Sequence, residues 1–302
     1  MTKELTEFTR MKSNHKLVEK LLAEEWWDRV VDLNRDDPDI NVQVRTKSIN
    51  VYCNMGNLMK IELRDNKIAC TIHYKYIPLL KDTTKKNDYY INLQTKNNKV
   101  FVNQQELRIE TDDLMSDKTL SLIKDEIKSY AGEEKLIQSK LVEKNKETIL
   151  DVEVAFSGKK GTRIDIVNFD KKRESIVAIE IKRIFDHRLY SNKEITEQLQ
   201  SYSNFIEECE DDIIRAYKNT IETKKALGLI DEKSILKAEC IKKVEKKALL
   251  VIAGYNQPII DTLREKIRRI AVGINDNALG VYYFGDLVDL NISKNTNKEI
   301  FC

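Results

Sequence analysis

Glycine and proline are scarce, nine and three among 302 residues, and neither GxxxxGK[ST] nor GxGxxG occurs. So little loop-forming material argues against a phosphate-cradling loop, and with it against a nucleotide-driven motor. The cysteines are few and scattered. Cys53, Cys70, Cys209, Cys240 and Cys302 are odd in number and never form a CxxC pair, which argues against a disulfide framework and a thiolate zinc site. Reduced, mostly buried thiols are expected. The longest apolar run, Ala248 to Ala253, falls far short of the roughly 20 residues a bilayer needs, and no charged-then-apolar leader opens the sequence. A soluble, cytoplasmic protein with no membrane partner is expected. An excess of one charge is also missing: 52 Lys+Arg against 50 Asp+Glu leave a net charge of +2. No whole-molecule field draws nucleic acid, so any basic surface must be local.

What is present is a chain able to bury an ordinary core, 41% hydrophobic and 34% charged, of a length that suggests two domains. From Lys16 to Leu33, Val18, Leu21, Leu22, Trp26, Val30 and Leu33 recur at three- and four-residue steps and predict one amphipathic helix. Alternation from Val42 to Ile77 then predicts a small antiparallel sheet, with further short strands up to about Ile109. Helices are expected over Leu120 to Tyr130 and Glu133 to Lys146, followed by strands Ile149 to Phe156, Thr162 to Phe169 and Ile176 to Lys182. Next come a helix from about Asn192 to Glu208, a charge-rich helical region to about Glu245, strand Ala248 to Ala253, helix Pro258 to Val272 and strand Gly280 to Phe284. The acidic group Glu207, Glu208, Glu210, Asp211 and Asp212 reads as a solvated helix end. The fold class is α/β, α+β overall: an N-terminal α+β domain, residues 1–115, precedes a domain over 116–302 with a mixed central sheet flanked by helices.

Along Ile176-Val-Ala-Ile-Glu-Ile-Lys182, alternation puts Glu180 and Lys182 on one face and Val177, Ile179 and Ile181 on the other. Asp165 is likewise a charge set into an apolar strand, between Ile164 and Ile166. A hairpin turn centred between Lys172 and Arg173 brings Asp165 opposite Glu180. Like charges so placed repel, and burying them calls for a proton, a cationic side chain or a divalent cation between them. Oxygen donors of this kind suit Mg²⁺ or Mn²⁺.

Asp165, then Glu180-Ile-Lys182 on the following strand, then a helix bearing Gln198 and Tyr202, resembles the PD-(D/E)XK nuclease superfamily, in particular its RecB-like branch with a QxxxY helix. The resemblance covers Glu133 to about Phe284. It implies a restriction-endonuclease-like core of helix, three strands, helix and strand, and Mg²⁺-dependent hydrolysis of phosphodiester bonds. By position, Asp165 and Glu180 would hold Mg²⁺ or Mn²⁺, with Glu133 preferred over Glu134 as a third acid. Lys182 would orient or help deprotonate the attacking water, and Gln198 would join these catalytic residues. Gln198 and Tyr202 would touch the substrate backbone, and Arg163 and Arg183 lie among basic residues that track phosphates. The proline of the family's name is absent, since Ile164 precedes Asp165.

The expected function is therefore a metal-dependent deoxyribonuclease, in restriction, repair or antiphage defence, with DNA as partner. Relatives often act as homodimers. Two alternatives remain open, a non-catalytic nucleic-acid-binding or regulatory protein on the same fold and a nuclease acting on RNA. A salt-bridged sheet face, in which Arg163 and Lys182 neutralise Asp165 and Glu180, is the purely structural account. Because the three charged strand residues are read as sharing an exposed face, their alanine variants are expected to lose cleavage and keep the fold. In the N-terminal sheet, His73, Tyr74, Lys75 and Tyr76 with Lys60 read as core packing or a dimer surface ahead of base stacking.

Overall fold

The structure, a computed structural model, describes residues 15–77, 90–96, 99–102, 113–155, 163–191, 193–254, 258–259, 262, 265, 274 and 276–284. The 157–161 loop with Lys159 and Lys160, the polar run 81–88, and most of the helix expected over 258–272 lie outside these residues. The chain is α+β and divides into two compact units, one built on residues 10–132 with 222–232, the other on 133–221 and residues from 233 onward.

In the first unit, α1 (His15–Leu22) and α2 (Trp26–Asp36) replace the single expected helix. Trp26 and Trp27 are both buried. Both indoles stand at the start of α2, just after the break at Ala23–Glu25, with Trp26 Nε1 donating to Glu24 Oε2 at 2.8 Å. Strands β1 (Ile40–Val44), β2 (Ser48–Cys53), β3 (Gly56–Arg64), β4 (Lys67–His73), β5 (Tyr90–Lys96) and β6 (Lys99–Val102) form an antiparallel sheet in sequence order. Helix α3 (Asp117–Tyr130) is capped by the Ser116 hydroxyl, which accepts from the Thr119 N–H. Its Leu120, Ile123 and Ile127 belong to the same core as Ile40, Ile49, Ile61 and Ile72. The division therefore falls after Gly132 rather than after residue 115, because the apolar stripe of α3 is buried with the first sheet.

The second unit begins with α4 (Glu133–Lys144) and continues with β7 (Ile149–Ala155), β8 (Arg163–Asp170), β9 (Ser175–Arg183) and the short α5 (His187–Ser191). Helix α6 (Lys193–Ala226) follows, then β10 (Lys243–Val244), β11 (Leu249–Ala253) and β12 (Gly280–Phe284). The sheet is mixed, in the order β12-β11-β9-β8-β7: β7, β8 and β9 are antiparallel neighbours, while β11 runs parallel to β9 and β12 parallel to β11. β9 is central and buried from Ser175 to Lys182, and all of β11 is buried, as strands covered on both faces require.

Helix α6 does not end at the acidic group. Ile195, Leu199, Tyr202, Ile206, Cys209, Ile213 and Ala216 form a continuous buried stripe at three- and four-residue steps. Glu207, Glu208 and Asp211 fall on the exposed side of the same helix. Burial of one stripe thus carries the helix through the charges to Ala226. The region after it is not helical beyond a single 3-10 turn, Ala238–Cys240. Among the described residues no helix is long and apolar enough to cross a membrane.

Candidate active site

The β8–β9 ladder runs from Asp170↔Ser175 to Ile166↔Ile179, the register expected for a turn centred between Lys172 and Arg173. The next step along it is Asp165 and Glu180. Here the regular pairing stops. The N–H of Ile181 donates to Asp165 Oδ2 at 2.8 Å, so a side chain takes the ladder's place. On the other edge of β8, Val152↔Ile166 and Val154↔Ile164 pair but skip Asp165, and the opposing Glu153 has a left-handed φ of +53°. Gln138 of α4 fills the gap, its Nε2 donating to the Asp165 carbonyl at 2.8 Å. Asp165 is thus held by α4 and β9 at a break in two ladders, the kind of local departure that re-aims a side chain.

Glu180 and Lys182 share a face of β9 as alternation requires, and that face is buried: each residue is 1% exposed. This corrects the expectation of an exposed face. A buried pair of charges is tolerable only when every lone pair and proton finds a partner. Lys182 Nζ donates to Glu180 Oε1 and, at 3.1 Å, to the Ile181 carbonyl. From α6, Gln198 Nε2 donates to Glu180 Oε1 at 2.8 Å and the Tyr202 hydroxyl donates to Glu180 Oε2 at 2.5 Å. Gln198 Nε2 also reaches the Tyr202 hydroxyl at 2.8 Å, as side chains one turn apart can. Tyr202 is fully buried, its hydroxyl also within 2.5 Å of the Arg163 carbonyl. Gln198 and Tyr202 therefore orient Glu180 from behind.

Around this centre stand ion pairs. Arg163 meets Glu153 at 2.6 Å, and Lys135 meets the same carboxylate at 3.3 Å. Burial raises the Glu153 carboxyl, but Lys135 and Arg163 together outweigh it and hold it below the ordinary range. Arg183 pairs with Glu133. The charge of Glu134 acts on both Asp165 and Glu180, and Arg188 lies 3.8 Å from Glu134. Reading the sequence for acids alone passed over Gln138. Its signal was helical spacing, since Glu134 and Gln138 are four residues apart on α4.

Burial pushes the Asp165 carboxyl well above the ordinary carboxylate range, and repulsion from Glu180 and Glu134 adds to it against Lys182 and the Ile181 N–H. Glu180 is raised too, by burial and by Glu134, with Lys182 and the Tyr202 hydroxyl opposing. Burial and the Glu180 charge raise the Tyr202 phenol, keeping it a donor. Both carboxyls thus hold their protons more tightly than ordinary carboxylates. Among the described residues no three His, Cys, Asp or Glu side chains converge on one point. The donor set is instead two carboxylates, Asp165 and Glu180, and the Ile181 carbonyl, two of whose three groups already gather a cationic nitrogen. Mg²⁺ fits such a set, since it is commonly held by one or two carboxylates, with waters and substrate phosphate completing six oxygens.

The raised values set the sign of a pH effect. A carboxyl that binds its proton more tightly folded than unfolded loses stability as pH rises through its folded value, and the loss is absent in acid below the ordinary range. A divalent cation relieves the same repulsion. We expect Mg²⁺ or Mn²⁺ at 100 times its Kd to stabilise the protein by about 2.7 kcal/mol near pH 8. Thermal unfolding with and without metal measures this increment, which should shrink as pH falls and protons compete, and be reduced in Asp165→Asn. An increment that is absent, or unchanged in the variant, counts against cation binding at these carboxylates.

Compared with protein-family models, with curated proteins and with solved structures, the chain matches none. Its class rests on what has been described: an α+β protein whose mixed sheet carries a buried carboxylate, ammonium, amide and phenol cluster at a strand break.

Proposed function

We propose that residues 133–284 form a restriction-endonuclease-like core and that the protein is a metal-dependent nuclease hydrolysing phosphodiester bonds of DNA. The observation that carries this reading is Asp165 and Glu180, two carboxylates of raised proton affinity, gathered with Lys182 where the β8–β9 ladder ends. The order α4, β7, β8, β9, α6, β11 supports it, as does the Gln198–Tyr202 pair turned onto Glu180. Asp165, Glu180 and the Ile181 carbonyl would hold Mg²⁺ or Mn²⁺, which when bound acidifies a water and offsets charge on the phosphate. Lys182 adds a positive charge beside the same oxygens, for a phosphorus gaining negative charge as water adds and the P–O bond breaks. Gln198 and Tyr202 fix the Glu180 carboxylate and Gln138 and the Ile181 N–H fix Asp165, while Lys182 Nζ, which now meets Glu180 Oε1 and the Ile181 carbonyl, would have to draw back from those oxygens to admit the cation.

One observation favours a second reading, a nucleic-acid-binding protein without catalysis. Glu180 is almost fully buried and takes donors from Lys182, Gln198 and Tyr202, an arrangement that also serves as a closed structural salt bridge. Incubating the full chain with single-stranded DNA, duplex DNA and RNA in Mg²⁺, Mn²⁺ or EDTA separates the two. Cleavage of DNA in Mg²⁺ or Mn²⁺ and none in EDTA is expected. Cleavage of RNA alone would change the substrate, and binding without cleavage in any metal would establish the second reading.

A further inference from the structure

The core of the first unit uses one face of its sheet. Ile61 of β3, Cys70 and Ile72 of β4 and Ile91 and Leu93 of β5 are buried in one cluster with the helices, and alternation turns their neighbours to the other face. The ladders set those neighbours in rows, Lys60↔Thr71↔Asn92, Arg64↔Lys67 and His73↔Tyr90. Charge on this second face is one-sided. Glu62 is the sole carboxylate in the sequence of the six strands, and Lys60, at 2.6 Å, and Arg64 share it. Lys67 is exposed, and among the described residues no carboxylate pairs with it. The register carries the same alternation to positions 96 and 99, both lysine. At β1 the face is closed, since Gln43 is fully buried and accepts at 3.0 Å from Lys224, in the α6 end that belongs to this unit. From β3 to β5 the long side chains reach water.

Rings and amides stand among these cations. Tyr90 is 56% exposed and meets the His73 ring edge-on, 5.3 Å between centroids. His73 Nδ1 accepts from the Lys75 N–H at 3.2 Å, and burial and the Lys75 charge lower its proton affinity, which keeps the ring neutral. Asn92 is exposed and accepts from Arg64 at 3.4 Å. Three cations for one acid match a polyanion, and rings with amides beside them match one whose bases are free to stack. A duplex keeps its bases stacked on one another, and its major groove admits a helix or a two-stranded ribbon, not the breadth of a sheet face. We propose that this face, from β3 to β5, is a platform for single-stranded nucleic acid, with Lys60, Arg64 and Lys67 on phosphates and Tyr90 stacked on a base. Arg163, Arg183 and Arg188 beside the candidate active site are each matched by an acid, and the platform supplies the surplus positive charge that they do not. It uses neither Asp165 nor Glu180, so it serves a nuclease and a non-catalytic binder alike.

The test measures binding of labelled single-stranded DNA, single-stranded RNA and blunt duplex DNA to the full chain in EDTA, over a range of salt. The wild type should hold the single strands more tightly than the duplex. Arg64→Gln with Lys67→Gln should weaken single-strand binding and reduce the slope of log affinity against log salt by about 1.4, the share of two phosphate contacts. Tyr90→Ala should weaken it roughly 10-fold with the slope unchanged, the usual effect of removing one base–aromatic stack, and Tyr90→Trp should restore it. Lys118→Gln, exposed on α3, which packs on the core face, should change neither. A wild type that prefers duplex or binds no strand overturns the proposal, as does an equal loss in Lys118→Gln. Unchanged affinity in Tyr90→Ala overturns it too, leaving a general polyanion patch. Cleavage in Mg²⁺ is scored separately. Cleavage with binding indifferent to Arg64, Lys67 and Tyr90 keeps the nuclease reading and removes the platform, while binding that depends on them without cleavage in any metal does the reverse. Since the altered side chains are exposed, the variants should unfold at the wild-type temperature, so a binding loss reports contact and not misfolding.

Discussion

Asp165→Asn, Glu180→Gln and Lys182→Met should each lower metal-dependent cleavage by about 100-fold or more, the scale seen when one preorganised charge or donor is removed from a reacting centre. These near-isosteric changes are chosen because the site is buried. Alanine at 180 or 182 would open a cavity as well as strand a buried charge, whereas Glu180→Gln and Lys182→Met avoid the cavity but still leave the partner's charge unpaired, so Asp165→Asn is the variant that best separates chemistry from folding. Asp165→Asn and Glu180→Gln both remove the negative charge and keep the shape; asparagine keeps the acceptor for the Ile181 N–H, and glutamine keeps the acceptor for Tyr202 while its amide nitrogen replaces the oxygen that accepts from Lys182 and Gln198. Single-turnover cleavage, with thermal unfolding run beside it, decides the matter. A Lys182→Met enzyme as fast as the wild type would remove Lys182 from the mechanism, and full activity in all three variants would end the nuclease assignment to this site.

The second large effect concerns stability. Glu180 and Lys182 are both 1% exposed and bonded to each other. Removing one partner leaves the other charged in a desolvated site, which typically costs about 3–5 kcal/mol. Lys182→Ala should therefore move the urea unfolding midpoint sharply down, by a large share of the ~5–15 kcal/mol that holds a domain folded. Replacing both, as Glu180→Met with Lys182→Met, should be nearly neutral or stabilising by about 1–4 kcal/mol, because no uncompensated charge remains. The donors that lose Glu180 keep other partners: the Tyr202 hydroxyl still meets the Arg163 carbonyl, and Gln198 still meets Tyr202. A double variant that is stable and inactive would mean that the pair is retained for chemistry at the expense of stability. A Lys182→Ala loss below about 1 kcal/mol is the behaviour of a solvated pair and would contradict the closed arrangement.

Much of this site is visible in the chain before folding. Period-two alternation set Glu180 and Lys182 on one face of β9, because strand side chains alternate whatever the surroundings, while a continuous apolar run marked β11. The length of the charged turn from Asp170 to Glu174 was enough to fix the hairpin register, since a slip of one residue would turn Asp165 to the opposite face. Helical spacing put Gln198 and Tyr202 one above the other. The end of α6 was less legible. Acidic residues read as a solvated terminus, whereas a buried stripe on the opposite side of the helix continued well past them.

What the sequence by itself determined is the local order: which residues alternate, which recur every third or fourth position, and hence which charged side chains lie together on one strand or one helix face. Those follow from backbone geometry and need no partner. Burial was decided only by the tertiary structure. Charged residues on a strand look alike whether water or two helices cover them, and it is the packing of α4 and α6 over β9 that desolvates Glu180 and Lys182. The pairing of neighbours was likewise tertiary: Glu133 with Arg183, Glu153 with Arg163, and Gln138 as the support of Asp165. Each depends on distances between segments far apart in the chain, which periodicity along one segment does not encode.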